Sequence, residues 1–233
     1  MPSVRFVTPC SPMNEHLEQH GYAIIPNVLS VDQQQTLVAA VGPLADAGRR
    51  GLLAEPEVAR LARRPNILNF VRPHLPAEPH PVRAIYFNKT ADSNWLVAWH
   101  QDLTIAVQEK VEVAGFSPWS VKDGIPHVQP PVELLKNMLS LRVHLDDCGA
   151  TNGALRVLAG THRLGKLSAG DIQELRANHT EHLCGVSAGD VLLMRPLLLH
   201  ASGRSQCVRQ RRVLHIEYAG FDLPEGLRWH ESA

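Results

Sequence analysis

From residue 80 onward the chain is a succession of short apolar runs broken by turn residues, and that pattern limits the fold more than any other feature. "VRAIYFNK" (82–89), "NMLSLRVHLDD" (137–147), "GALRVLAG" (153–160), "GDVLLMRPLLLH" (189–200) and "RVLHIEYAGF" (212–221) are strand-like, and Gly, Asn, Asp and Pro punctuate them. Asn152-Gly153 is a hairpin signal between the second and third runs. Many short strands without intervening helices predict an antiparallel sandwich or barrel, with the jelly roll foremost.

The first seventy residues differ. "HGYAIIPNVLS" (20–30) predicts a strand running into a turn, and Ser30 with Gln33 predicts a capping box that opens a helix. Leu37, Val38, Val41 and Leu44 fall on one face of that helix. "EPEVARLARR" (55–64) predicts a second helix, stopped at Pro65. The expected organisation is one domain over 1–233, with a helical part to about residue 75 and a β core over about 80–222. Residues 106–137 have no clear period and carry several Gly and Pro residues, which predicts an irregular, lid-like insertion.

Composition excludes some classes of function. The formal net charge is zero, so nothing global draws nucleic acid or an anionic membrane. Arg204, Arg209, Arg211 and Arg212 are crowded together, but so short a basic cluster reads as a solvated loop. No apolar stretch approaches the roughly 20 residues of a membrane span, and the opening residues lack a signal-peptide core. The four cysteines form no Cys-x-x-Cys pair, so free thiols in a reducing cytoplasm are expected.

The candidate chemistry begins at "WLVAWHQDLTI" (95–105). On a strand, His100 and Asp102 would point to the same side. Alone the pair means little, since His144/Asp146, His16/Glu18, His179/Glu181 and His215/Glu217 have the same spacing. A facial triad also needs a second histidine from a distant strand, and it leaves coordination positions open on iron. His200 closes an apolar run, with Ser202 two residues later. Arg211 opens the next run and could grip a carboxylate with two parallel hydrogen bonds.

Taken together, "FNKTADSNWLVAWHQD", "LDDCGATNGALRVLAGTHRLG", "AGDVLLMRPLLLHASG" and the "RR" before the last run resemble the phytanoyl-CoA dioxygenase family of iron(II)- and 2-oxoglutarate-dependent oxygenases. The resemblance covers roughly residues 20–220. It implies a double-stranded β-helix (jelly-roll, cupin-like) core with flanking helices, and iron(II) held by His100, Asp102 and His200. Arg211 and Ser202 would hold the far carboxylate of 2-oxoglutarate, with Lys89 and Ile85 close to it. Arg212 is one residue from the clamp, and a one-residue slip would exchange it with Arg211.

The chain departs from the family at Arg142, where relatives carry a tryptophan. If that strand turns the same face inward, Arg142 and His144 look into the barrel, and Arg142 is either a second anion holder or the partner of a buried carboxylate. His144/Asp146 is the rival metal pair. Halogenating relatives lack the triad carboxylate, so its presence as Asp102 implies hydroxylation or another oxidation. Phe116 and Trp119 of the insertion, with Gln101, are the residues expected at the substrate. The implied partners are a small-molecule or natural-product substrate and dioxygen, giving succinate and carbon dioxide. A zinc- or manganese-dependent hydrolase or isomerase, or a non-catalytic small-molecule-binding barrel, would need no Arg211 and no oxygen.

Overall fold

Strand alternation decides which side of each run is buried. The computed structural model describes residues 11–43, 47–90, 92–207 and 209–231. It begins with α1 (Ser11–His20), β1 (Tyr22–Ile25), α2 (Val31–Val41), β2 (Gly48–Arg49), α3 (Pro56–Ala62) and α4 (Pro65–Val71). The capping box at Ser30 is formed: its hydroxyl accepts from Gln33 N, and Gln33 Oε1 accepts from Ser30 N. Leu37 and Val41 are buried and Val38 packs partly against the same core, while Leu44 lies outside the described residues. Pro65 ends the second predicted helix and also begins α4, at a first-turn position where a missing N–H leaves no helical bond unmade.

The remaining elements are β3 (His80–Lys89), β4 (Val97–His100), β5 (Ile105–Ala106), β6 (Trp119–Lys122), β7 (Ile125–Val128), α5 (Val132–Lys136), β8 (Met138–His144), β9 (Leu155–Leu158), α6 (Ala169–Asn178), β10 (Glu181–Cys184), β11 (Val191–Met194), β12 (His200–Ser202) and β13 (Arg211–Ala219). All pairings are antiparallel. One sheet runs β1-β11-β8-β13-β3-β2 and a second runs β10-β9-β12-β4, the two sheets of a jelly-roll core. The outward side chains of the larger sheet (Ala84, Tyr86, Leu141, Val143, Leu214, Ile216) share one core with the N-terminal helices. Leu155 and Val157 of β9 meet Leu192 and Met194 of β11 between the sheets. No helix among the described residues is long and apolar enough to cross a membrane.

Three expectations are corrected. The run 189–200 is not one strand. Pro196 offers no N–H, Leu198 N turns back to Arg195 O, and the chain crosses from β11 in one sheet to β12 in the other. Asn152-Gly153 does not join a hairpin, because β8 pairs with β11 and β13 whereas β9 pairs with β10 and β12. It lies on the crossing between sheets, where Asn152 bonds Gly149 N and Asp147 O. Nor is 106–137 irregular throughout. Much of it folds as the three-stranded sheet β5-β7-β6 followed by α5, on a separate apolar cluster.

Candidate metal centre

Strand register brings the metal-type side chains together. His200 of β12 is the direct cross-strand partner of His100, the last residue of β4. Asp102 follows just beyond, where its N–H donates to Pro196 O. Asp102 Oδ1 lies 3.6 Å from His100 Nε2, and Oδ2 lies 3.8 Å from His200 Nε2. Among the described residues this is the one group of three His, Cys, Asp or Glu side chains whose ligand atoms all lie within 4.8 Å.

The imidazoles are set for ligation. Each Nδ1 lies 2.8 Å from a backbone carbonyl, Ala98 O for His100 and Leu198 O for His200. A carbonyl only accepts, so each Nδ1 carries a proton and each Nε2 is the atom turned toward Asp102 and the centre. Burial pushes the His200 pKa down to about 4, which keeps that ring neutral. Burial alone would raise the Asp102 carboxyl, but His200 and His100 beside it hold it far below the usual carboxylate range. The donor set therefore fits a divalent metal ion: two imidazole nitrogens and one carboxylate, all facing one point.

The triad opens into a cavity of about 340 Å³, towards the lower end of the range for small-molecule sites. Arg211, Ser202, Ile85, Arg142 and Gln101 also line it. Arg211 is 4% exposed and its Nε has no hydrogen-bond partner. A buried, unsatisfied guanidinium nitrogen is costly unless a ligand completes it. Its neighbour Arg212 points away and is occupied, with Nε and Nη2 gripping the two carboxylate oxygens of Asp146 at 2.8 and 2.7 Å. Strand alternation thus separates the two arginines, and the cavity receives Arg211. Lys89, the cross-strand partner of Arg211, is fully buried and donates to Ser202 Oγ and Gly203 O. Burial, and then the Arg211 charge, push its pKa down to about 8.

Arg142 does turn inward, but its partner is His215, 3.1 Å away. His215 contacts Glu217 at 3.3 Å, and Glu217 is paired with Arg83 at 3.1 Å. Burial, and then Arg211, push the Arg142 pKa down to about 10. The rival metal pair is dismantled. Asp146 belongs to Arg212, while His144 is buried with neither ring nitrogen bonded and is driven to the neutral form by burial.

Of the three residues expected at the substrate, Gln101 lines the cavity and the other two lie elsewhere. Phe116 is buried and Trp119 half-buried in the apolar cluster beneath the small sheet, and neither lines the cavity. Gln101 does line it, but its amide nitrogen donates to Gly165 O and Leu197 O, and its oxygen accepts from Leu167 N. Both amide hydrogens are therefore spent on backbone, and Gln101 fixes the chain between the two ligands. Sequence reasoning missed Arg83, His215, Glu217, Lys122, Arg50 and Trp95 as cavity residues. The signal was there for the first three: stepping by two from Lys89 reaches Phe87, Ile85 and Arg83, and from Arg211 it reaches Val213, His215 and Glu217.

Residues 17–213 match the phytanoyl-CoA dioxygenase (PhyH) family. Among curated proteins no sequence matches. Solved structures with the same fold include AviO1 from Streptomyces viridochromogenes Tue57, 22% identical, covering 91% of this chain and 95% of that one with a TM-score of 0.66. HygX from Streptomyces hygroscopicus, solved with nickel, 2-oxoglutarate and hygromycin B bound, is 19% identical over 93% of this chain and 89% of its own, with a TM-score of 0.66. EctD from S. alaskensis, with 2-oxoglutarate and 5-hydroxyectoine, is 18% identical over 99% and 86%, with a TM-score of 0.73. With a family match over most of its length, the chain belongs to the phytanoyl-CoA dioxygenase family.

Proposed function

We propose that the protein is an iron(II)- and 2-oxoglutarate-dependent dioxygenase that hydroxylates an unactivated C–H bond of a small-molecule substrate. One observation carries the reading: a triad of two histidines and one carboxylate shares a cavity with a buried arginine whose Nε is unsatisfied. Iron(II) with 2-oxoglutarate supplies dioxygen activation, the cosubstrate leaving as succinate and carbon dioxide.

The chain's own residues do the rest. His100, Asp102 and His200 would hold the iron(II) and leave part of it open to cosubstrate and dioxygen. Arg211 binds the far carboxylate with its planar fork, aided by Ser202 Oγ and by Lys89 as a charge behind it. Ile85, Phe87 and Leu155 make the wall apolar and shield the reacting centre from water. Because Asp102 fills the carboxylate position, hydroxylation is favoured over halogen transfer.

The test is an anaerobic titration of the metal-free protein with iron(II) and then 2-oxoglutarate, following the visible metal-to-ligand charge-transfer band. A band in the wild type that is lost in Asp102→Ala and weakened in Arg211→Ala is expected. No band, with tight binding of zinc or manganese instead, would favour the hydrolase or isomerase reading.

A further inference from the structure

The cavity is lined by five basic side chains, Arg50, Arg83, Lys122, Arg142 and Arg211, against two carboxylates, Asp102 and Glu217. Most of these charges have a counterpart. Arg83 lies 3.1 Å from Glu217, and Arg50 is paired with Asp123 in the β6–β7 turn. In the loaded enzyme proposed above, iron(II) answers Asp102 and the far carboxylate of 2-oxoglutarate answers Arg211. The metal dication and the cosubstrate dianion cancel, so loading leaves the surplus of positive charge in place.

Two cations have no carboxylate within ion-pair distance among the described residues. Arg142 is buried in the wall, and the partner of its guanidinium is a ring nitrogen, His215 Nδ1, and not a carboxylate. Lys122 comes from the end of β6, lines the cavity while exposed to solvent, and donates to the hydroxyl of Thr104. A cleft with one sign of charge and apolar walls focuses its field on whatever enters. The walls between these cations include Phe87, Trp95 and Leu103.

We infer that the substrate is an anion, an apolar body bearing a carboxylate or phosphate group, which Lys122 receives and Arg142 attracts from the wall. This rests on the oxygenase reading for the order of occupancy. Lys122 is the specificity-determining residue, and a neutral or cationic analogue of the same size is discriminated against.

The test is calorimetric binding of four probes to the protein loaded anaerobically with iron(II) and 2-oxoglutarate, which occupies Arg211. The probes are 3-phenylpropanoate, phenyl phosphate, 3-phenylpropanol and 3-phenylpropylamine. We expect one of the two anions to bind roughly tenfold or more tightly than the alcohol, and the amine most weakly. Which anion wins assigns the group. The preference should persist in Lys122→Arg and be lost in Lys122→Glu. Equal binding of all four, or an anion preference intact in Lys122→Glu, would overturn the inference. Failure of the charge-transfer band in the wild type would overturn the oxygenase reading instead. The same probe series on the metal-free protein would then still decide, through its dependence on Lys122, whether the cavity takes an anion.

Discussion

His200 and His100 face one another across the β12–β4 pairing with their ring centroids 4.2 Å apart. Two ligands from segments a hundred residues apart are thus brought together by strand register, and each ring is oriented by the backbone carbonyl two residues before it.

Metal binding should therefore stabilise the fold. At a free metal concentration about a hundredfold above Kd, linkage gives about 2.7 kcal/mol, or a rise in Tm of roughly 5–10 °C for a chain of this size. Calorimetry of the anaerobic protein with and without iron(II) measures it. Asp102→Ala should show almost none of the rise, and an undiminished rise in that variant would place the metal elsewhere.

The two adjacent arginines should separate cleanly. Arg211→Ala is expected to weaken 2-oxoglutarate binding by roughly 2–5 kcal/mol, the range for truncating one partner of a desolvated charge pair. Arg212→Ala should leave that affinity nearly intact and cost about 1.5–3 kcal/mol of stability, since it breaks a two-pronged grip on Asp146. Cosubstrate titration and urea denaturation of both variants check this. The reverse pattern would exchange their roles.

Gly153 has a φ of +78°, and a Cβ there would lie 2.8 Å from Gly203 O and 3.2 Å from Lys89 Nζ. Gly153→Ala is thus expected to destabilise by about 1–3 kcal/mol. It should also loosen 2-oxoglutarate binding by displacing Lys89. A denaturation midpoint equal to wild type would show that this crossing tolerates a side chain.

Lys89 gives a pH dependence of definite sign. Its folded pKa is about 8 and its ordinary value 10.5, so between these the unfolded chain binds more protons than the folded one. Its contribution to stability is present above 10.5 and is lost as pH falls through about 8. The wild type should gain stability relative to Lys89→Met as pH rises from 8 to 10.5. A flat difference between the two curves over that window would show that burial does not shift this lysine.

Much of this was legible in the sequence because strands carry their own register. The apolar runs gave β3, β8, β9 and β13, and the capping residues gave α2. The triad was found only by joining a two-residue spacing to a distant histidine and a recognised order of blocks. What escaped has physical causes. Helix α6 buries no side chain, so it has no apolar period, and only its capping box of Ser168 and Asp171 announces it. Asn152-Gly153 suits a tight turn wherever one is needed, and no local rule says whether the next strand returns to the same sheet. Phe116 and Trp119 looked like substrate contacts because aromatic residues in a loop suit binding and packing equally. The wall of Arg83, Arg142, His215 and Glu217 is scattered over three strands and converges only when they pair.

The crossing at Gly153 passes close to Lys89 and Gly203, next to the buried Ser202 and Arg211, whereas Lys122, which lines the same cavity, is exposed. In the oxygenase proposed above, the two anions would therefore meet cations of unlike solvation: the cosubstrate a dry one at Arg211, insensitive to salt, and the substrate a wet one at Lys122, screened by it.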